Sequence, residues 1–232
     1  MFLTLGVTLH ADSETPGVIE SWAYDKGYAL QISKPYKGEK LPSTSNFDFL
    51  IVMGGPQSPL NLDDAPYLID EINFIKESIQ QDKRILGFCL GAQLIGEALG
   101  ARTERSPEKE VGVYPITLTN EGLKDPLLEG LSQNFLVIHW HNDMPGLLSS
   151  SALLGYSAGC PRQIVRYKPL VYGFQCHLEI TLDGIQTMIS AVPEDLNPST
   201  FTQPQEELIA QDYASINSMM IHLLNKFVQL KR

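Results

Sequence analysis

Cysteine is scarce in this chain, which has only Cys89, Cys160 and Cys176 among its 232 residues. The three form no C-x-x-C pair. An odd, sparse set of this kind does not fit a disulfide framework and is typical of a reducing compartment. We therefore expect a cytoplasmic protein.

Positive charge is also in short supply. The chain has 17 Lys and Arg residues against 27 Asp and Glu, a formal net charge of -10 at pH 7, and the basic residues are scattered. A nucleic-acid channel or an anionic membrane surface is recognised by a clustered positive field. We therefore expect neither nucleic acid nor membrane as a partner.

Long apolar runs are missing as well. Residues 1–9 (MFLTLGVTL) are apolar, but they lack a basic n-region and are too short to span a bilayer. They predict a buried first strand rather than a signal peptide. The hydrophobic fraction of 43% is sufficient to bury a core without disulfides or a structural metal.

What the first hundred residues contain is an alternation of short β-branched runs and helix-period segments, which is typical of βαβ units. The predicted strands here are residues 3–9, 29–33, 48–53 and 84–88, and the predicted helices are residues 16–26, 65–81 and 90–99. The pattern predicts an α/β fold with a mostly parallel open sheet flanked by helices.

After residue 102 the pattern changes to short strands joined by turns. The predicted strands are residues 112–118, 136–141, 163–167 and 171–176, with a helix at 182–192 and a polar, Pro-containing loop at 193–204. Apolar residues spaced by three and four predict a last amphipathic helix at 205–229. Because we find no repeats and no second domain, we expect one domain over residues 1–232, with that helix packed on it.

Cys89 lies where a predicted strand turns into a predicted helix, between Gly87 and Gly91. A nucleophile on such a bend is exposed at the carboxyl edge of the sheet, where open α/β sheets bind ligands. The helix N-terminus behind it offers free amides and a positive dipole end. The competing interpretation is that Cys89 is one more buried small apolar residue.

A thiol nucleophile needs a neighbouring imidazole, which in turn needs an orienting acceptor. Of the five histidines, His177 closes a buried strand and has a carboxylate, Glu179, two residues further on. Side chains at i and i+2 of an extended chain face the same way. Cys89, His177 and Glu179 are therefore our candidate catalytic residues.

Two further features would serve the same chemistry. The turn at Gly54, Gly55 and Pro56 also follows a predicted strand, and its exposed amides could complete an oxyanion hole with the amide of Leu90. Gln93 lies one turn into the helix after Cys89, where its amide could contact a polar substrate group.

Taken together, three ordered segments resemble the class I (triad) glutamine amidotransferases. They are FLIVMGGP at residues 49–56, ILGFCLGAQL at 85–94 and VYGFQCHLE at 171–179. The similarity extends to about residue 192, and the stand-alone proteins similar to the glutaminase domain of GMP synthase are the subgroup it resembles most. The resemblance implies that family's flavodoxin-like fold and hydrolysis of the glutamine carboxamide through a thioester on Cys89, with no cofactor.

The resemblance also implies roles for single residues. His177 would be the base, Glu179 its orienter, Gly55 and Leu90 the oxyanion donors and Gln93 a glutamine contact. Residues 139–143 (HWHND) resemble the family's loop around the amino-acid end of glutamine, which implies substrate contacts by Asn142 and Asp143. Cys176 and Leu178 replace the family's usual aromatic and proline. No synthase domain follows in this sequence, so a separate synthase subunit would have to accept the ammonia.

Three alternatives stay open. The same triad could cleave γ-glutamyl peptides or conjugates and release a larger amine. His139, His141 and Asp143 have the spacing of metal ligands along a strand. A glutamine sensor that kept the fold without catalysis is the third, although the intact Cys-His-Glu set argues against it.

Overall fold

The computed structural model describes residues 3–231, so residues 1, 2 and 232 of the predicted domain lie outside it. Within that range the strands are β1 (Thr4–Thr8), β2 (Ala29–Ser33), β3 (Phe49–Val52), β4 (Arg84–Phe88), β5 (Glu104–Leu118), β6 (Asn134–Met144), β7 (Ala152–Tyr156), β8 (Ile164–Lys168), β9 (Val171–Phe174) and β10 (Phe201–Thr202). The α-helices are α1 (Val18–Asp25), α2 (Tyr67–Gln80), α3 (Leu90–Ala98), α4 (Leu182–Ala191), α5 (Gln205–Ile209) and α6 (Tyr213–Phe227). In this part of the chain, no helix combines the length and the apolar character needed to cross a membrane.

One mixed sheet contains these strands in the order β10-β5-β7-β8-β9-β4-β3-β1-β2, with β6 paired to β5. The run β9-β4-β3-β1-β2 is parallel throughout. Antiparallel pairing extends it from β9 through β8 and β7 to β5 and β6. The predicted α/β class with a mostly parallel sheet is confirmed.

Helices cover both faces of the parallel part, as β3 illustrates. Phe49 and Ile51 belong to the core that includes residues of α1 and α6, whereas Leu50 and Val52 belong to the core that includes residues of α2 and α3. Successive side chains of a strand point to opposite faces. A strand covered on both sides is therefore apolar at every position, as the FLIV run of β3 is.

The parallel order also brings the candidate site together. Strands β9, β4, β3 and β1 are neighbours, so their carboxyl ends meet at one edge of the sheet. The chain leaves these ends towards His177, Cys89, Gly54 and His10. Sequence positions far apart in the chain become adjacent because the strands that precede them pair.

The antiparallel part differs from the prediction. Strand β5 begins at Glu104 rather than at residue 112, and β7 and β10 were not predicted. The early part of β5 is charged and contains Pro107, so its sequence does not show the alternating apolar pattern by which a strand is predicted. A register shift interrupts its pairing with β6 between Arg105 and Glu110, and such bulges break the simple two-residue periodicity of a strand.

The prediction of one helix over residues 205–229 is wrong. The chain forms α5, leaves the helical path at residues 210–212 and restarts as α6, which ends at Phe227. The Asp212 carboxylate accepts a hydrogen bond from the Ser215 amide at 3.0 Å, so it caps the new helix. The apolar spacing continues across the break and does not reveal it.

Helix α6 packs on the sheet through Phe227. This side chain has no exposed surface, and its ring centroid lies 5.0 Å from that of Phe49 and 5.8 Å from that of Tyr172. We expect Phe227→Ala to lower the free energy of unfolding by about 3–5 kcal/mol in urea denaturation, since it removes contacts and leaves a cavity. Ile221→Ala on the same helix, where Ile221 is 37% exposed, is the control and should cost about 1 kcal/mol or less. Equal losses for the two variants would contradict this packing.

Candidate active site

Cys89 occupies a strained bend between β4 and α3. Its φ is +49° and its ψ is -109°, in a region that residues other than glycine rarely adopt. The side chain is 8% exposed. A Cβ on Gly91 would lie 2.0 Å from the Val52 carbonyl oxygen, so only glycine lets α3 approach β3 this closely. The bend presents the thiol at the edge of the sheet.

His177 is fixed through its backbone and through its ring. Its amide donates to the Ile138 carbonyl at 2.8 Å. Its Nδ1 lies 2.6 Å from Glu179 Oε1, and the second Glu179 oxygen accepts from the Leu178 amide at 3.0 Å. With Nδ1 donating to Glu179, Nε2 is the nitrogen left to interact with Cys89. The structure thus brings the three predicted catalytic residues together.

The charge of this group follows from its surroundings. Burial alone would lower the pKa of His177, but the negative charge of Glu179 and the hydrogen bonds to Cys89 and Glu179 outweigh it. The pKa of His177 therefore lies well above its ordinary 6.5. An imidazolium at neutral pH stabilises a neighbouring thiolate.

Cys89 has further contacts that the sequence did not predict. Its Sγ lies 3.7 Å from the Trp140 carbonyl oxygen and 3.4 Å from the Gln175 amide nitrogen. Gln93 donates to Gln175 Oε1 at 3.1 Å, and Gln93 Oε1 is buried with no hydrogen-bond partner. Gln93 therefore supports Gln175 beside the thiol and keeps a free acceptor.

The His10 ring anchors the turn after β3. The Nδ1 of His10 lies 2.8 Å from the Gly54 carbonyl oxygen, and its Nε2 lies 2.9 Å from Glu71 Oε2. Neither His10 nor Glu71 has an exposed side chain. Burial alone lowers the pKa of His10, but the charge and hydrogen bond of Glu71 raise it above its ordinary value. Both ring nitrogens of His10 face oxygen acceptors, so the protonated ring donates to Gly54 and Glu71 at the same time.

Two cavities meet at Cys89 and share Gly55, Pro56, Trp140 and Asp195. The first, which we call the polar cavity, is also lined by Gln57, Ser58, Gln93, Arg105, Lys109, Val111, His141, Asn142 and Asp143. The second, which we call the His177 cavity, is also lined by Ser13, Glu14, His177, Met188 and Val192. Cys89 thus borders both cavities.

Asn142 and Asp143 line the polar cavity with Gln93, as their predicted role requires, but they do not lie on a loop. They belong to β6, where Asp143 pairs with Arg105 of β5. The Asp143 carboxylate accepts from Arg105 at 2.8 Å and from Ser58 at 2.5 Å, whereas Asn142 is exposed. These residues therefore form part of a paired strand, where the resemblance implied a loop.

The metal-ligand spacing of His139, His141 and Asp143 does not produce one group. Asp143 is engaged by Arg105, whereas both histidines contact the Gln163 amide nitrogen, at 3.0 and 3.1 Å. Burial lowers the pKa of His139 to about 3, so it is neutral. Ligand atoms of Glu110, His141 and Cys160 do lie within 4.8 Å of one another.

The side-chain amide nitrogen of Gln163 already contacts two members of this second group, Glu110 and His141. It lies 2.7 Å from Glu110 Oε2 and 3.0 Å from Ser157 Oγ, in addition to its contacts with the two histidines. A metal ion could enter only if Gln163 moved away. The arrangement is a buried hydrogen-bond network that joins β5, β6 and the loop before β8.

The two departures from the family pattern are buried away from the chemistry. Cys176 and Leu178 have no exposed surface, and neither is among the side chains that line the two cavities. Burial raises the pKa of Cys176 well above its ordinary value, and it raises that of Cys160 to about 11. Both thiols are therefore protonated and unreactive.

Several residues of the site escaped sequence reasoning: His10, Glu14, Glu71, Trp140 and Gln175. His10 and Glu71 are 61 positions apart, and no spacing rule links them. The signal that could have been used is position, since His10 follows β1 as closely as Gly54 follows β3, and Glu14 lies on the same loop as His10.

The pKa of His177 can be tested by removing the carboxylate behind it. We expect Glu179→Gln to lower this pKa, because the largest raising contribution is lost while a hydrogen-bond acceptor is kept. Both proteins should carry Cys89→Ala, so that the titration is not coupled to the thiol. NMR titration of the His177 ring would then show its midpoint at lower pH. The surface variant Glu129→Gln is the control, and an unchanged midpoint in Glu179→Gln would refute the assignment.

The chain is similar to known proteins over most of its length. The family model of glutamine amidotransferase class-I matches residues 23–190. The chain is 42% identical over 225 residues to the glutamine amidotransferase-like protein YfeJ of Salmonella typhimurium, covering 94% of both chains. It is 30% identical over 177 residues to the glutamine-hydrolysing GMP synthase of Thermosipho africanus, covering 75% of this chain and 32% of that enzyme.

Solved structures show the same fold. The crystal structure of SMU.1228c superimposes with a TM-score of 0.92 at 39% identity, covering 97% of this chain and all (100%) of that one. A glutamine amidotransferase from Methylobacillus flagellatus gives a TM-score of 0.90 at 23% identity, covering 100% of this chain and 97% of that one. At that identity the likeness concerns the fold alone. The family match and the relatives lead to one conclusion: this chain belongs to the class I glutamine amidotransferase family.

Proposed function

We propose that this protein is a cysteine-dependent hydrolase of γ-glutamyl amides, with glutamine as the simplest substrate. The observation that carries the proposal is the strained Cys89 bend beside the His177 ring, which is backed by Glu179 at 2.6 Å. A nucleophile, a base and an orienter in this relation are the parts of a catalytic triad.

The reaction begins from the ion pair in which the Cys89 proton already lies on His177 Nε2, and the Sγ thiolate attacks the γ-carbonyl carbon. His177 then gives the proton to the amide nitrogen, the C–N bond breaks with its electron pair on nitrogen, and ammonia leaves. A γ-glutamyl thioester stays on Cys89. Water that loses a proton to His177 attacks this thioester and releases glutamate.

The amides of Gly55 and Leu90 hold the oxyanion in this mechanism. Leu90 is the first residue of α3, so its N–H has no acceptor within the helix. The Gly54 carbonyl is tied to His10, and in a trans peptide the N–H of the next residue points the opposite way. His10 thereby turns the Gly55 amide away from itself, towards the thiol side of the turn.

The glutamyl group occupies the polar cavity. That cavity combines cationic groups, Arg105 and Lys109, with the carboxylates of Asp143 and Asp195. Such a mixture suits the α-ammonium and α-carboxylate of an amino acid. Gln93 Oε1 is a free buried acceptor there, and with Asn142 and Asp143 it completes the proposed substrate contacts.

Ammonia transfer to a partner is a further part of the proposal. The GMP synthase of Thermosipho africanus is described as glutamine-hydrolysing, and this chain matches about a third (32%) of it. A separate synthase subunit would then receive ammonia from this protein. A cytoplasmic location stays a prediction from the cysteine content.

The nucleophile assignment is tested by Cys89→Ala. We expect glutamine hydrolysis to fall by about three orders of magnitude or more, measured as glutamate release, with the urea unfolding midpoint retained. Mass spectrometry of the wild-type protein with glutamine should detect a γ-glutamyl adduct on Cys89. The control Cys160→Ala removes another buried thiol and should keep hydrolysis. Activity of Cys89→Ala within tenfold of wild type would exclude the triad, and a folded wild type with neither turnover nor adduct would favour the sensor alternative.

The oxyanion assignment is tested at His10. Because leaving Glu71 unpaired would destabilise the fold, two double variants are compared: His10→Asn with Glu71→Gln, and His10→Leu with Glu71→Gln. Asparagine keeps a donor near the position of Nδ1, whereas leucine has none. We expect kcat of the leucine variant to be roughly ten- to hundredfold below that of the asparagine variant, with similar KM, because oxyanion donors act in the transition state. Equal kcat values would show that His10 does not position the Gly54–Gly55 peptide.

A further inference from the structure

The two cavities at Cys89 differ in one respect that decides their roles. His177 lines one of them and not the other. On the proposed function, on which this inference rests, His177 must protonate the leaving nitrogen. The leaving group therefore departs on the side of the His177 cavity, while the glutamyl group lies in the polar cavity.

Glu14 distinguishes the His177 cavity chemically. Its Oε2 and the Cε1 of His177 each lie 3.2 Å from the point where a Gly54 Cβ would be, and the Cys89 Cβ lies 3.5 Å from it. The Glu14 carboxylate therefore lies beside the His177 ring and the Cys89 side chain. Among the described residues it has no hydrogen-bond or ion-pair partner. Burial raises the pKa of Glu14, while the charges of His10 and His177 offset part of that rise, and a bound cation would offset more of it.

The remaining walls exclude one class of leaving group. Met188 and Val192 provide apolar surface, and neither lysine nor arginine is among the side chains described as lining this cavity. Asp195 also lines it, but its carboxylate is already paired with Lys109 at 2.9 Å, which leaves Glu14 as the carboxylate that can receive a cation. An amino acid leaving from a γ-glutamyl peptide would place its own carboxylate close to the negatively charged Glu14. An aliphatic amine would place its methylene groups against Met188 and Val192.

The size of the cavity is more than ammonia requires. Its volume is about 110 Å³, whereas one water-sized molecule needs roughly 10–15 Å³ on the same measure. An amine of several heavy atoms therefore fits beside His177.

We propose that the His177 cavity is a leaving-amine site in which Glu14 pairs with an ammonium group, so that the protein prefers γ-glutamyl amides of aliphatic diamines to γ-glutamyl peptides. In the acylation step the C–N bond breaks, its electron pair and the proton from His177 Nε2 go to the nitrogen, and the amine leaves with its distal ammonium against Glu14. No oxidant or other co-reactant takes part.

Three substrates that differ only at the end of the leaving group test this proposal. They are the γ-glutamyl amides of 1,2-diaminoethane, propylamine and β-alanine, whose termini are cationic, neutral and anionic. We expect kcat/KM to fall in that order, with roughly a tenfold difference between the cation and the anion, the size of one charge-assisted contact. In Glu14→Gln the ratio of cationic to neutral substrate should fall towards one.

The matched control is Asp12→Asn. Asp12 lies on the same loop but is exposed and bonded to Tyr36 and Lys37, so this variant should keep the substrate order of the wild type. Equal kcat/KM for the three amides, or a best rate with the β-alanine amide, would overturn the leaving-amine site. So would a cationic-to-neutral ratio that Glu14→Gln leaves unchanged.

Glutamine itself separates this inference from the proposed function. If glutamine is hydrolysed while the three amides show no charge order, the hydrolase stands and the leaving-amine site is wrong. If neither glutamine nor any of the amides acylates Cys89, both are wrong. A second readout uses glutamine as donor: added 1,2-diaminoethane should capture the thioester more efficiently than added β-alanine, because the reverse step uses the same cavity.

Discussion

The absence of a side chain at Gly54 is the constraint on which the site depends. Three groups from different parts of the chain, Glu14, His177 and Cys89, approach the space that its Cβ would fill to within 3.5 Å. The Gly54 carbonyl is at the same time anchored on His10. Gly54 therefore leaves room for these three groups to meet while its peptide is held on His10.

Two buried histidine–carboxylate pairs flank this peptide, and they differ in purpose. The pair of His10 and Glu71 has no exposed side-chain surface and contacts the backbone, whereas the pair of His177 and Glu179 lies beside Cys89. Burying two charges costs several kcal/mol per ion unless good geometry and further hydrogen bonds offset it. Both pairs have such bonds, from the His10 ring to Gly54 and from the Leu178 amide to Glu179. The fold thus stabilises fixed charges around a strained cysteine.

Much of the site was predictable because its parts are local. Cys89 on a strand-to-helix bend, Glu179 two residues after His177, and a glycine turn after β3 can each be recognised within a few positions. The α/β alternation was likewise predictable, because strands covered on both faces are apolar throughout. What failed was the antiparallel half: β7 is absent from the prediction, β5 is too short in it, and the Asp212 cap divides the last helix. Bulges and caps depend on particular partners, which periodicity does not report.

Short-range sequence patterns in a fixed order are enough to predict the fold class and the family, and they single out Cys89 as the candidate nucleophile. What surrounds Cys89 depends on the tertiary structure. It put Glu71 on His10 across 61 positions, joined Gln93 to Cys89 through Gln175, drew Asn142 and Asp143 into β6, and opened two cavities of different charge on either side of the thiol. The physical reason is strand order: β9, β4, β3 and β1 pair side by side, and residues with no sequence relation meet where those strands end.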